Sequence, residues 1–142
     1  MKKYSLLFVV ILTLLGLTAC SQNQSLTVTD VWSRPGLADG NSAVFFKIDN
    51  PANEEDRLLS ASSNVAAAVE LHKTTMVDGN MQMKRQDYVA VPGGEMLEFK
   101  PGDFHVMLIG LNGDLAVGEN FQLTLTFENA GEVQLDVPVQ EP

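Results

Sequence analysis

The chain has 142 residues, nine of them basic and eighteen acidic, for a formal net charge of −9. That balance repels phosphate backbones and argues against nucleic acid as a partner. Cys20 is the only cysteine, so no intramolecular disulfide can form. Thiolate zinc and blue-copper sites would lack the free Cys ligand they need.

The first segment reads as an export signal. Lys2 and Lys3 precede an apolar run from Leu6 to Leu17, followed by Leu17-Thr18-Ala19-Cys20. The run is short of the roughly 20 residues needed to span a bilayer. Leu-Thr-Ala-Cys resembles the lipobox of bacterial lipoproteins, in which the cysteine is acylated and becomes the new N-terminus. The alternative is plain secretion with a free thiol at Cys20. The expected division is a signal peptide over 1–19, a lipidated Cys20 with a short polar tether over 20–25, and one domain over 26–142. Without Lys2 and Lys3, seven basic residues face eighteen acidic ones, a formal charge of −11. Two or more acyl chains would hold the domain stably on a bacterial membrane. It would face the periplasm or the cell exterior, close to the bilayer.

From Leu26 onward the signals are those of strands. Residues 26–31 alternate and lead into Trp32-Ser33-Arg34-Pro35-Gly36, where Pro-Gly marks a turn. Ser42–Asp49 is β-rich and closes at Asn50-Pro51. Arg57–Ser62 and Val65–His72 are further candidates; the second contains Ala66-Ala67-Ala68, helical by propensity alone but kept as a strand. A loop is expected from His72 to Asn80. Met81–Val91 reads as one strand ending at Pro92-Gly93-Gly94, and Glu95–Lys100 and Asp103–Leu111 as two more. Phe121–Glu128 and Val133–Val139 alternate on either side of Asn129-Ala130-Gly131, the pattern of a half-buried hairpin. No long segment repeats at 3.6 residues. Short strands with turn signals about every 8–12 residues predict an all-β sandwich or barrel.

Between His72 and Met107 lie both histidines and five of the six methionines. Four of them follow the spacing His72-x10-Met83-x21-His105-x-Met107. Imidazole nitrogen and thioether sulfur form a borderline-to-soft ligand set that suits Cu(I). Residues two apart on a strand share a face, so His105 and Met107 project together, away from Phe104, Val106 and Leu108. Antiparallel strands could bring His72, Met83 and this pair to one end of a sandwich. Met81 shares a face with Met83 and is an alternative or additional sulfur. Met in a β protein is usually core filler, the reading given to Met96, and Met76 reads as a loop residue bordering the site. Asp78, Asp87 and Asp103 read as solvated turn residues. From residue types alone, a metal site and an incidental cluster both stand.

The spacing is also the signature of the periplasmic copper chaperones called PCu(A)C, which this sequence resembles over roughly residues 26–139. The flanking words Val31-Trp32-Ser33-Arg34-Pro35, Glu70-Leu71-His72 and Met81-Gln82-Met83 fit as well. Lys100-Pro-Gly-Asp-Phe-His-Val-Met-Leu-Ile-Gly-Leu111 is the most specific match. The resemblance implies a cupredoxin-like antiparallel β-sandwich binding one Cu(I) through His72, Met83, His105 and Met107. It further implies copper delivery to the dinuclear copper centre of cytochrome oxidase, through an oxidase subunit or its assembly factor, or more generally a role in extracytoplasmic copper handling. Two features depart from many relatives: the chain ends at Pro142 without a His/Met-rich tail, and it carries the lipobox.

The mechanism expected is ligand exchange without catalysis. Imidazoles must be unprotonated to bind, so affinity should fall as pH drops through the His range near 6.5. The rival reading is a lipid-anchored adhesion or scaffold sandwich with an incidental His/Met set. An enzyme finds no support: there is no Ser/His/Asp spacing, phosphate loop or thiol nucleophile in the domain.

Overall fold

A computed structural model describes residues 25–142. The expected signal peptide, Cys20 and all but the last residue of the expected tether lie outside them. The described residues form ten strands and no helix: β1 (Thr27–Ser33), β2 (Asn41–Asn50), β3 (Asp56–Ser62), β4 (Ala66–Val77), β5 (Asn80–Arg85), β6 (Val89–Val91), β7 (Glu95–Phe99), β8 (Phe104–Leu111), β9 (Asn120–Phe127) and β10 (Gly131–Pro138). One sheet runs β1-β2-β8-β4-β5, with β7 also pairing β2; the other runs β10-β9-β3-β6. Every strand pairing is antiparallel. The all-β expectation holds, and Ala66–Ala68 is strand: Ala66 pairs with Leu111 and Ala68 with Ile109.

Period-two alternation builds the core. Val44, Phe46, Ile48, Leu71, Val106 and Leu108 point from the six-stranded sheet toward Leu58, Leu123, Leu125 and Val137 of the other. The β9–β10 hairpin runs in unbroken register from Gly131 opposite Phe127 to Pro138 opposite Asn120.

Three local expectations are corrected. The stretch after His72 is not a loop: β4 continues to Val77 and turns through Asp78 and Gly79, both at positive φ (50° and 78°). This is the Asp-Gly turn of a two-residue hairpin, whose backbone twist matches that of the flanking strands. Met81–Val91 is two strands in different sheets. Gln86–Tyr88 carries the chain across while the alternation stays in phase, so the break leaves no mark in the pattern. Met96 is not core, being 61% exposed. Leu97 and Phe99 sit opposite Ile48 and Phe46 and take the inner face, which turns Met96 outward.

One irregularity also matters for the site. Between Thr29 and Trp32 of β1 the register against β2 slips, Thr29 facing Lys47 and Trp32 facing Phe45. The extra residue is a β-bulge with Asp30 at φ 52°. It lets Val31 pack against the core and moves Trp32 to the outer face beside Phe45.

Candidate metal centre

The ladder dictates which side chains meet on the outer face of the six-stranded sheet. Directly opposed residues of an antiparallel pair share a face. His72 lies opposite His105, Glu70 opposite Met107, Ala43 opposite Met107, and Thr74 opposite Met83. All four motif residues therefore project from one face, on three adjacent strands: β8, β4 and the edge strand β5. They sit on the sheet's outer face, not at an end of the sandwich as the strand ends suggested. His72 is central in β4, which places it over the sheet instead of beyond it.

The two imidazoles are held differently. His105 is 4% exposed, and its Nδ1 lies 3.0 Å from the Asp103 carbonyl. A carbonyl only accepts, so Nδ1–H donates and Nε2 keeps the free lone pair. That same carbonyl accepts the Thr74 N–H at 3.1 Å, tying the Pro101–Asp103 turn to β4. Burial is the main influence holding the His105 pKa below 6.5, partly opposed by the Asp103 bond and reinforced by repulsion from His72 and Arg34. His72 donates from Nε2 to Glu70 Oε2 at 2.8 Å. Glu70 also pairs with Arg85, Oε1 to Nη1 at 3.4 Å. The hydrogen bond from His72 is the main influence holding the Glu70 carboxyl below its usual range. In a neutral ring that bond leaves the lone pair on His72 Nδ1, an atom that is buried and has no hydrogen-bond partner among the described residues. A buried polar nitrogen without a partner is costly in a folded protein, and a bound ion is one of the arrangements that would satisfy it. The two ring centroids are 5.8 Å apart.

A cavity of about 380 Å³ opens over this face, lined by Arg34, Ala43, Phe45, Thr74, Met81, Met83, His105, Met107 and the Pro101-Gly102 turn. Ala43, small and opposite Met107, leaves room above the ladder. The structure thus gathers Met83, His105 and Met107 around one space, with Met81 at its rim. His72 adjoins it through His105 but does not line it, its ring being engaged with Glu70. Among the described residues no group of three or more His, Cys, Asp or Glu is arranged to hold a metal; the thioethers are what give this face its donors.

Sequence reasoning passed over the support around the donors. Glu70 could have been found, since it precedes His72 by two and shares its face. Phe45 could not: it is 2% exposed yet points outward. Trp32 covers it at 4.7 Å between centroids, Arg34 lies 5.3 Å above its ring, and its ring is 6.3 Å from that of His105. This aromatic wall exists because of the β1 bulge.

The fold and this face define a β-sandwich with a soft-donor surface built on one sheet. The chain belongs to the LpqE-like family, whose description reads "Putative lipoprotein LpqE-like" and whose profile matches residues 26–139. Protein RP573 of Rickettsia prowazekii (strain Madrid E) is 32% identical over 113 residues, covering 76% of this chain and 62% of that protein. The chain thus spans less than two thirds of that relative's length. The Leifsonia xyli subsp. xyli (strain CTCB07) protein described as "Putative lipoprotein Lxx21020" is 28% identical over 142 residues, covering 90% of this chain and 84% of the relative. Among solved structures, the copper-bound PCuAC domain from PmoF2 superposes with a TM-score of 0.70 at 27% identity, covering 83% of this chain and 94% of that domain. The architecture is the cupredoxin-like antiparallel sandwich that the resemblance implied.

Proposed function

We propose that this protein is an extracytoplasmic copper chaperone that binds one Cu(I) through His72, Met83, His105 and Met107 and passes it on by ligand exchange. The observation that carries the reading is the in-register His72–His105 pair, flanked by two thioethers, with His72 Nδ1 buried and unpartnered among the described residues. Two neutral imidazole nitrogens and two thioether sulfurs make a donor set suited to Cu(I), which as a closed-shell ion tolerates irregular geometry. The copper-bound state of the similar PmoF2 domain points the same way.

The residues divide the work. Asp103 fixes the tautomer and orientation of His105, and Glu70 with Arg85 those of His72, as outer partners do for metal-bound histidines. Met83 and Met81, 52% and 68% exposed, give an acceptor's ligands access to the open side. Neutral thioethers can be displaced without a proton being taken up or released, which suits transfer.

Acylated at Cys20, the chaperone acts at the membrane surface with its acidic domain outside the cytoplasm, the domain beginning near residue 26. Its acceptor is the dinuclear copper centre of cytochrome oxidase, reached through an oxidase subunit or assembly factor; the motif resemblance supports this choice. A Cu(I) titration against a competing chelator tests the site. One equivalent should bind, and the His105→Ala, Met107→Ala double variant should lose it; undiminished binding would show the assignment wrong. Oxidase copper loading in a strain lacking the protein tests the acceptor, and normal loading would rule it out.

A further inference from the structure

Methionines 76, 81 and 83 are 65%, 68% and 52% exposed, and all three belong to the β4–β5 hairpin. Core filling, the usual reason for methionine in a β protein, does not account for them. All six β5 residues are exposed, and apart from its two methionines they are Asn80, Gln82, Lys84 and Arg85. No packing demand therefore explains apolar side chains here. Register makes the sulfurs neighbours: Met76 is directly opposite Met81, next to the turn-flanking pair Val77–Asn80. In a two-residue hairpin the turn-flanking pair carries the backbone hydrogen bonds. Met76 and Met81 then form a non-hydrogen-bonded pair, the kind in which side chains come closest, with Cβ atoms about 4.5–5.5 Å apart. Met83 follows Met81 by two residues on the same face, and both line the cavity that holds His105 and Met107. Three thioethers thus form a row from the hairpin tip to the inner donors.

We propose that Met76 and Met81 form an outer thioether pair that captures a soft monovalent cation at the hairpin tip and hands it through Met83 to the inner set. This deepens the Cu(I) reading of that set and rests on it. Two neutral sulfurs suffice for a closed-shell ion that accepts low coordination. Such a pair holds the ion weakly, as a way station must. The passage is an exchange of sulfur donors with no change of oxidation state and no proton transfer. Ag(I), a closed-shell surrogate that does not oxidise in air, serves as the probe.

The test uses full-length protein labelled with 13C at the methionine methyls and titrated with Ag(I), with stoichiometry read by native mass spectrometry. The expected result is one tight equivalent followed by a weaker second that shifts the Met76 and Met81 methyls. The Met76→Leu, Met81→Leu variant keeps apolar volume at two exposed positions and removes both sulfurs. It should retain the tight equivalent, lose the second, and load from a chelated donor several-fold more slowly. Stationary Met76 and Met81 methyls through two equivalents in the wild type, or unchanged stoichiometry and loading rate in the variant, would overturn the outer pair. Absence of the tight equivalent in the wild type would overturn the inner site instead, with the two methyls still deciding the outer pair.

Discussion

The two faces of the six-stranded sheet share one backbone and differ in almost everything else. Behind it, Val44, Phe46, Ile48, Leu71, Val106 and Leu108 are all at most 3% exposed and interlock with the second sheet. In front, the alternate residues of the same strands are Phe45, His72, Thr74, His105 and Met107. Because the ladder is common to both, packing behind fixes where the donors stand in front. A donor set on a rigid sheet is placed more precisely than one on loops. The rear face supplies the rigidity and the front face carries the proposed donors.

Breaking the rear face should therefore cost most. Leu108 is fully buried between Met107 and Ile109, and Leu108→Ala should destabilise the fold by about 2–5 kcal/mol, the range for such cavities. Urea denaturation measures this. Replacing His105 and Met107 on the front face should leave the urea midpoint much nearer wild type while abolishing Cu(I) binding. Equal losses of stability from both faces would contradict the division of labour.

The next largest effect tests the support within the front face. Glu70→Gln keeps the shape but replaces the carboxylate that accepts from His72 and pairs with Arg85. An amide can also donate to Nε2, which would let the imidazole turn its proton to Nδ1, the atom the site needs bare. Partners of this kind are worth about 10–100-fold in metal affinity. Chelator competition should show a loss of that size with little change in thermal stability. A loss below about twofold on that scale would mean that Glu70 does not hold the ring.

Much of this contrast was legible in the sequence, and for a physical reason. The split between Phe104, Val106, Leu108 and His105, Met107 follows from period two alone, and the β9–β10 hairpin could be read almost residue by residue. The misreadings fall where a residue's partner lies outside its own strand. Met81–Val91 kept phase across a change of sheet, so alternation could not show the break at Gln86–Tyr88. Residue type alone points Met96 to the core, but Leu97 and Phe99 take that side opposite Ile48 and Phe46. The wall of Trp32 and Phe45 depends on a bulge at Asp30 that simple alternation cannot contain. The four motif positions shared a face in the sequence only through the resemblance and the His-x-Met pair; their convergence needed the register of β4, β5 and β8.

The hairpin that carries Met76, Met81 and Met83 can be loosened without touching either face. Gly79 has φ 78°, and a Cβ there would meet nothing within 4 Å, so Gly79→Ala introduces backbone strain and no clash. Left-handed alanine costs about 1–2 kcal/mol. Hydrogen exchange should accelerate in β5 while β8 stays protected, the mark of local opening. Acceleration across β8 as well would show the edge hairpin to be one cooperative unit with the core.

The smallest effect is set by protons, and its sign follows from where His105 sits. Burial holds its pKa below the ordinary 6.5, so an unfolded chain takes up a proton before the folded one does. Between 6.5 and the lower folded value the unfolded state binds more protons, and stability falls as pH falls. Above 6.5 the contribution is fully present. Glu70, held below its ordinary 4.5 chiefly by the bond from His72, gives up its own contribution only at lower pH, leaving the His105 window distinct. The urea midpoint of apo protein should therefore begin to drop just below pH 6.5, and the drop should shrink in His105→Gln. In 15N spectra the His105 ring should stay neutral, with Nδ1 protonated, at pH values where a free imidazole is already charged. A His105 ring titrating at or above 6.5 would mean that the front face admits water to this donor, and that the sheet does not shield it as its burial implies.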